Sequence, residues 1–575
     1  IPSETGGMLN QEFGEDGTMR THLILGAVGK NVAFSIESHT WETDGFDFIK
    51  ASSDNTGFDK DDVVIKFRLN SDKDEDRIYH ELNFKYQDSD EISDQSYVGL
   101  SDDDFRIDPH ARYGLTAYDE MDNKHEQWSV NYLADFGNLE FSATIYENDF
   151  TRNWFKVDKI DNKKIYGLGN GINNIIDAAN LGKAGALAIL NGTNTQAVEI
   201  KLKNNNRTYT SEGTDLKIQY NTDRQSLTVG YRSTEDSEDR FQIYEYADWT
   251  RGKLGPLTKG EAPGYSSNNR LTYSEATAFY INEEINLGAL TFNLGYRSED
   301  WEISQDRYVD VTRTAVNTAK GYPKKLTDSD NSLIGFGATY EVSDTTSLFI
   351  GFHEGFTPTG GGADSEEADN LELGVRYVTE DTFAEFIVFN TDYANMFGTC
   401  TASGGAVGSC DQGDSFNGGA ATIEGIELAL KKVWQADNGT VYPVSLTYTS
   451  TNAQFDSSFK SSFWGNVNAG MDLPDLPDTQ LALSVGFEID NGWTGDATLY
   501  LYGSACSVAA CSTGTEIDSY NVIDVSLSKA ISEKTDIYLV VENITDEEDI
   551  VARAPKNGAR AQKPITTTIG VRYQF

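Results

Sequence analysis

Ile565-Thr566-Thr567-Thr568-Ile569-Gly570-Val571-Arg572-Tyr573-Gln574-Phe575 closes the chain. Ile565, Thr567, Ile569, Val571, Tyr573 and Phe575 fall on one face of an extended strand, and Thr566, Thr568, Gly570, Arg572 and Gln574 fall on the other. This alternation, ending on an aromatic residue, predicts the closing strand of a transmembrane antiparallel β-barrel. Each strand of such a barrel shows one face to lipid and the other to water. Val571, Tyr573 and Phe575 are its C-terminal signature.

The composition of the 575 residues agrees with this all-β reading. With 38% apolar residues, 11% aromatics and a mean hydropathy of -0.47, the chain is too polar for a helical membrane protein and too aromatic for a disordered one. No stretch approaches the roughly 20 apolar residues of a spanning helix. A barrel hides its membrane signal, because only half of each strand's side chains meet lipid. The 52 Gly and 29 Tyr suit strands, turns and interfacial girdles; the rival is a large secreted β-protein.

A net charge of -45 argues against nucleic acid or an anionic membrane surface as a partner, since both would be repelled. It suggests solvated acidic loops. Two clusters, Asp102-Asp103-Asp104 and Asp72, Asp74, Asp76, are the obvious places for Ca²⁺. Neither has the glycine and spaced ligands of an EF-hand, so they read as solvated turns, and no metal site is assigned. Export to the bacterial outer membrane requires a signal peptide, and the chain opens at Ile1, so it reads as a mature or truncated segment. In an oxidising compartment the close pairs Cys400 with Cys410 and Cys506 with Cys511 read as local disulfides, against free thiols; histidine at metal spacing is missing beside them.

Upstream of the last strand, alternating segments recur at 536–543, 520–529, 496–502, 480–488, 371–377, 348–356, 290–297 and 139–146. Their connections alternate in length. Tight turns at 532–534, 491–492, 342–345, 283–288, 221–224 and 135–138 take turns with long polar connections, which is the pattern of short periplasmic turns and long extracellular loops. If the last strand ends in the periplasm, parity places 546–560, 505–517, 454–478, 396–418 and 153–207 outside, with both cysteine pairs among them. About 21 strands follow Arg20, and a weak one at Gly6–Phe13 makes about 22. So wide a lumen must be plugged or it leaks.

Several stretches carry a family resemblance. They are Ser96-Tyr97-Val98-Gly99-Leu100 with Asp104-Phe105 and Asp108-Pro109 to Arg112-Tyr113; Asp149-Phe150-Thr151-Arg152-Asn153-Trp154-Phe155-Lys156; Asn206-Arg207-Thr208-Tyr209; Asp239-Arg240-Phe241; Gly351-Phe352-His353-Glu354-Gly355-Phe356; Glu424-Gly425-Ile426-Glu427; and Glu542-Asn543-Ile544-Thr545-Asp546. Through them the chain resembles the barrel domain of TonB-dependent outer-membrane receptors, in particular the group containing ferric dicitrate and siderophore receptors. The resemblance implies import of a scarce nutrient, usually a ferric chelate, driven by TonB. It also implies outer-membrane lipid and lipopolysaccharide as surroundings, and no cofactor. The family's plug and TonB-contacting segment would precede the barrel, so residues 1–19 read as the end of a plug or linker with a candidate first strand, residues 20–575 as the barrel, and the plug as absent from this chain.

A ferric chelate bearing carboxylates needs local cations in so acidic a protein, and the planar arginine fork suits carboxylates. Strand phase points Arg232 inward after outward Leu227, Val229 and Tyr231, and Arg297 inward after Leu290, Phe292, Leu294 and Tyr296. Both are expected at the outer ends of upward strands, as is His353 after Leu348, Ile350 and Phe352. Arg152 is expected to open the longest outer loop. These four are the candidate ligand contacts; the alternative is that inward arginines only pair with lumen or plug carboxylates.

Within that loop, Ile172, Ile175, Ile176, Ala179 and Leu181 have helical spacing, suiting a lid over the mouth or packing within the loop. Catalytic motifs are missing: there is no Gly-x-Ser-x-Gly elbow, no His-Glu-x-x-His and no phosphate loop, so an enzyme is not expected. The competing functions are a plugless passive pore and a receptor for oligosaccharide or another scarce nutrient. Trp41, Trp154, Trp249, Trp301, Trp434, Trp464 and Trp493 would serve sugar stacking or interfacial girdles. Inward aromatics at the outer rim would mark a sugar receptor, and arginines there a chelate receptor.

Overall fold

The computed structural model describes residues 4–73, 78–260, 268–359, 364–399, 415–417, 419–461 and 465–575. Twenty-two antiparallel strands form its barrel. The first eleven are β1 (Gly6–Gly14), β2 (Met19–Val28), β3 (Val32–Thr43), β4 (Phe58–Asn70), β5 (Tyr79–Ser93), β6 (Glu120–Asp135), β7 (Leu139–Asp161), β8 (Val198–Asn221), β9 (Gln225–Phe241), β10 (Asn269–Asn286) and β11 (Leu290–Arg307). The others are β12 (Lys324–Ser343), β13 (Thr346–Thr357), β14 (Glu366–Val378), β15 (Thr382–Ala394), β16 (Ala421–Gln435), β17 (Val441–Phe455), β18 (Thr479–Ile489), β19 (Trp493–Tyr502), β20 (Tyr520–Ser532), β21 (Thr535–Glu542) and β22 (Thr566–Gln574). Each pairs with its chain neighbours, and β1 closes the ring on β22, from Met8 opposite Gln574 to Gly14 opposite Thr568. The weak segment at Gly6–Phe13 is therefore the strand that completes an even number.

The closing strand has the face pattern expected of it. Ile569, Val571, Tyr573 and Phe575 are exposed on the outer surface, while Thr566 is buried on the inner one. Beside them Gly570 is required by close approach: a Cβ there would meet the Tyr538 ring at 2.1 Å. That ring's hydroxyl donates towards Glu12 Oε1 at 2.5 Å and Asn10 Oδ1 at 2.8 Å, tying β21 to β1 across the inner face of β22. Trp434 and Trp493 are exposed near periplasmic strand ends, where a girdle belongs. Among the described residues, no helix is long and apolar enough to cross a membrane.

The strands differ greatly in length. β19 has 10 residues, close to the roughly 9–11 that span a bilayer, whereas β7 has 23 and β8 has 24. The upper halves of β7 and β8 thus stand above the membrane as a paired ribbon. The sequence placed 153–207 wholly in a loop. In the structure its two ends are strand, because above the bilayer both faces turn polar and the period-two signal fades while the hydrogen-bond ladder continues.

Outer loops fold into a head with its own apolar core. It contains α1 (Asp102–Ile107), α2 (Ile172–Asn180) and α3 (Ala184–Leu190). Ile172, Ile175, Ile176 and Ala179 of α2 are buried as the spacing predicts; Leu181 is 70% exposed, because it caps the helix and turns away. Trp249 is buried against α3 and donates its indole N–H to Ile189 O at 2.7 Å. The acidic run 102–104 is not a solvated turn. Ser101 caps α1, Asp104 is buried and accepts from the Ser101 and Tyr113 hydroxyls at 2.8 and 2.7 Å, and Asp102 pairs with Arg553 at 2.7 Å. Asp72 pairs with Lys30, while Asp74 and Asp76 lie outside the described residues.

Arg553 belongs to the loop between β21 and β22, far from α1 around the rim. That loop also donates from Asn557 Nδ2 to Asn173 O at 2.9 Å and bridges Leu100 through Ala559. It therefore crosses above β1 to β4, where the outer connection at 15–18 is short and the one at 44–57 leans across to pair Phe48 and Ile49 with Ala111 and Arg112. Elsewhere on the rim Cys506 and Cys511 form a disulfide; Cys400 and Cys410 lie outside the described residues.

Leu373 points to lipid near mid-depth on β14, while neighbouring Glu372 points inward. Leu373→Arg should lower barrel stability by about 2–4 kcal/mol and Glu372→Arg by less than about 1. Denaturant unfolding in lipid vesicles measures both, and equal effects would contradict the assigned faces.

Candidate ligand-binding site

Phase and register place all four predicted contacts on inner surfaces, at different heights. Arg232 and Arg297 line one cavity of about 240 Å³ with Tyr146, Ser211, Thr234, Asp236, Ala276, Ala278 and Glu299. Arg232 donates to the Tyr146 hydroxyl at 3.1 Å, and Arg297 donates to Glu299 at 2.9 Å through Nε. His353 faces Gly335 and Asn370 on neighbouring strands and does not line this cavity. Arg152 stands apart from it on the upper part of β7.

The expected heights need correction. β9 and β11 continue to Phe241 and Arg307, so Arg232 and Arg297 are not at their outer ends. At about 3.3 Å per residue and a tilt near 40°, Arg232 stands roughly 18 Å above the periplasmic end of β9, and Arg240 roughly 38 Å. The first is about half-way up the lumen; the second is above the bilayer. Likewise Arg152 does not open a loop but sits within paired strand.

At that upper level lies an arrangement missed by the sequence reading. Arg152 is directly opposite Arg207, Arg207 opposite Arg240, Arg240 opposite Arg270, and Arg270 opposite Arg307. Five adjacent strands, β7 to β11, thus carry five arginines in one row on the inner phase, about 19 Å from end to end at the usual strand spacing. Glu238 sits among them. Its carboxylate is 3.2 Å from Arg207 Nη1, 2.9 Å from Arg240 Nη2 and 3.0 Å from Arg270 Nη2. Arg307 donates Nε to Gln305 at 2.7 Å and lies over the Tyr322 ring. Arg152 Nε, Arg207 Nε and both Nε and Nη1 of Arg270 are buried without a hydrogen-bond partner. Of the row, only Arg152 is among the expected contacts, while Arg207 and Arg240 carry only the family resemblance; the signal for the row is cross-strand register, which residue-by-residue phase does not contain.

The tryptophans divide between roles. Trp154 is inward beside Tyr97, with the Lys156 ammonium 3.4 Å from one ring centroid and 3.8 Å from the other. Trp301 is buried and donates to Asn331 at 2.9 Å; Trp249 belongs to the head, and Trp464 lies outside the described residues. Arginines, not a run of open aromatics, dominate the upper inner face of β7 to β11.

A scan against protein families matches residues 39–544 to the model for TonB dependent receptor-like β-barrels. The chain belongs to this family. It is therefore a bacterial outer-membrane receptor barrel and not an enzyme. Solved structures agree in fold. The siderophore receptor PiuA from Acinetobacter baumannii superposes with a TM-score of 0.76 at 13% identity, covering 100% of this chain and 82% of that one. The ferric citrate transporter FecA in its unliganded form gives 0.70 at 16%, covering 100% and 79%, and the ferric yersiniabactin uptake receptor FyuA from Yersinia pestis gives 0.68 at 14%, covering 100% and 81%.

Just above the row, the TonB-receptor barrel passes into the head at Asp119. This carboxylate accepts from the Ser96 hydroxyl at 2.8 Å and the Val157 N–H at 2.9 Å. Burial pushes its pKa up to about 6, and those two donors and Arg112 only partly offset the rise. A carboxyl raised in the folded state favours folding while protonated, so the head loses stability as pH rises from about 4 through 6 and levels off above. Exchange of the Val157 amide, corrected for its intrinsic rate, should be about tenfold slower at pH 5 than at pH 7.5. Asp119→Asn should remove the difference; persistence of it in that variant would place the titration elsewhere.

Proposed function

We propose that this TonB-dependent receptor imports a ferric chelate with carboxylate ligands, of the ferric citrate or siderophore-like kind. The supporting observation is the paired placement of Arg232 and Arg297 in one lumenal cavity of a chain whose net charge is -45. In an acidic protein, inward guanidiniums on the import path select for anions, and their planar forks match carboxylates. Structural neighbours named as a siderophore receptor and a ferric citrate transporter point the same way. Arg152 at the upper rim and His353 on a separate inner face are the further proposed contacts.

In this reading, chelate entering from outside meets the upper barrel and then the lumen. TonB supplies the energy through a plug-bearing segment ahead of the barrel in the full-length protein. The oligosaccharide reading finds its aromatics at the outer rim in the cluster of Trp41, Phe46 and Phe58, away from the arginines of β7 to β11. A passive pore does not account for membership in a receptor family.

The test uses the purified full-length precursor. Ferric citrate, or one chelate of a ferric panel, should bind tightly, and Arg232→Ala with Arg297→Ala should weaken binding about 30-fold or more. Oligosaccharide binding with no ferric chelate bound would replace this function with carbohydrate import.

A further inference from the structure

The geometry points to the arginine row of β7 to β11 as an outer binding site for ligands carrying several carboxylates, with Glu238 as a built-in counter-anion that such a ligand displaces. This inference rests on the importer reading for its iron and adds the chemical class recognised, the residues that recognise it and a specificity-determining carboxylate.

Three independent features support it. The first is register. Like charges directly opposite on neighbouring strands destabilise a sheet, and the backbone ladder fixes the spacing of their Cα atoms, leaving only side-chain bending to separate them. Four successive like-charged pairs in an unbroken row is an arrangement that barrel stability alone opposes.

The second is incomplete compensation. One carboxylate touches three of the five guanidiniums, and it belongs to the row's own inner surface, two residues below Arg240. Other nearby acids are engaged or lie lower: Asp239 pairs with Arg313 of an outer loop at 2.8 Å, and Asp236 lines the cavity shared by Arg232 and Arg297. The third is unsatisfied buried donors. Arg270 is 7% exposed, yet its Nε and Nη1 are unpartnered, as is the Nε of Arg152 and of Arg207. Buried guanidinium N–H groups without acceptors are costly, and a carboxylate set along the row would satisfy them bidentately.

Glu238 acts in this scheme as a resident substitute for ligand. With the site empty it holds Arg207, Arg240 and Arg270 in position. A ligand with two or more carboxylates competes with Glu238 for the shared guanidiniums and, as their side chains turn towards it, satisfies the buried donors as well, whereas a neutral chelate has nothing to offer in exchange. The row lies higher than Arg232 and Arg297, so an anion meets it first and the lower pair second.

The experiment uses the full-length protein in detergent, with each variant's β-sheet melting checked. The probes are ferric citrate, metal-free citrate and an uncharged ferric trihydroxamate. The variants are Arg207→Gln with Arg270→Gln, Glu238→Gln, and Arg152→Gln, the last leaving the Glu238 cluster intact should the others fold poorly. Ferric citrate binding should weaken about 30-fold or more in the double variant, weaken about tenfold in Arg152→Gln and tighten several-fold in Glu238→Gln.

Ferric citrate binding that ignores all three variants overturns the row as a binding site and leaves the importer reading standing. Binding of the trihydroxamate alone overturns the row and the carboxylate class together, and leaves only import of a ferric chelate. Row-dependent binding of citrate only when metal-free would keep the site and overturn iron import. No binding of any probe overturns the row, and no binding across the wider ferric panel overturns the importer reading as well.

Discussion

Lipid offers the backbone no hydrogen-bond partner, and the structure depends on meeting that constraint. Every N–H and C=O at membrane depth must pair within the protein, which for strands requires closure. Closure rests on one seam, where β1 meets β22, and on the side-chain ties of Tyr538 to Asn10 and Glu12 beside it. Twenty-two strands then enclose a wide lumen, and the lipid-facing phase uses half of each strand's side chains. The other half is free to be polar, and function is written on that half.

The extended strands follow from the same ladder. A strand has no reason to stop at the membrane surface while its neighbour continues to pair, so β7 to β11 rise well above it and carry their inner phase with them. This converts loop residues into a rigid surface. Guanidiniums on a loop would spread until their repulsion relaxed; on adjacent strands they are held at strand spacing. The head braces this ribbon from above, with α2 and α3 packed on one another and Trp249 sealed against them, while the loop from β21 spans the rim to reach α1 and α2.

Much of the fold was legible because turns and lipid-facing phases are local. Leu227, Val229 and Tyr231 reveal the inward position of Arg232 without knowledge of any other strand. The end of a strand is not local in the same way: above the bilayer no face need be apolar, so the alternation that identifies β7 to its middle says nothing about Arg152 and beyond. Helical spacing found α2, but Leu181 fits the period and lies one residue past the last turn, where the chain reverses. The acidic run at 102–104 looked solvated because its partners, Tyr113, Asn191 and Arg553, lie as far as 451 residues away. The row was within reach of the tight turns. Residues equally far from such a turn face each other, so the two-residue turn at 223–224 pairs Arg207 with Arg240 and the one at 288–289 pairs Arg270 with Arg307, whereas the wider bounds read from the sequence, 221–224 and 283–288, miss that register. Joining those hairpins needs the outer connections, whose lengths fix no register.

A net charge of -45 and an anion-selective path are compatible because the two act over different distances. At physiological ionic strength the screening length is about 8 Å, so carboxylates scattered over solvated loops contribute little at the inner face of β9. The five arginines stand on strands about 5 Å apart, so each guanidinium acts within one screening length of its neighbours in the row and in a medium less polar than water. Their field is strong where a ligand would touch them and fades beyond. The acidic exterior repels anions only weakly at that range, so it does not oppose the proposed binding of a multiply charged ligand at the row. Net charge therefore describes how this receptor meets its surroundings, and strand register sets the local field on its inner face.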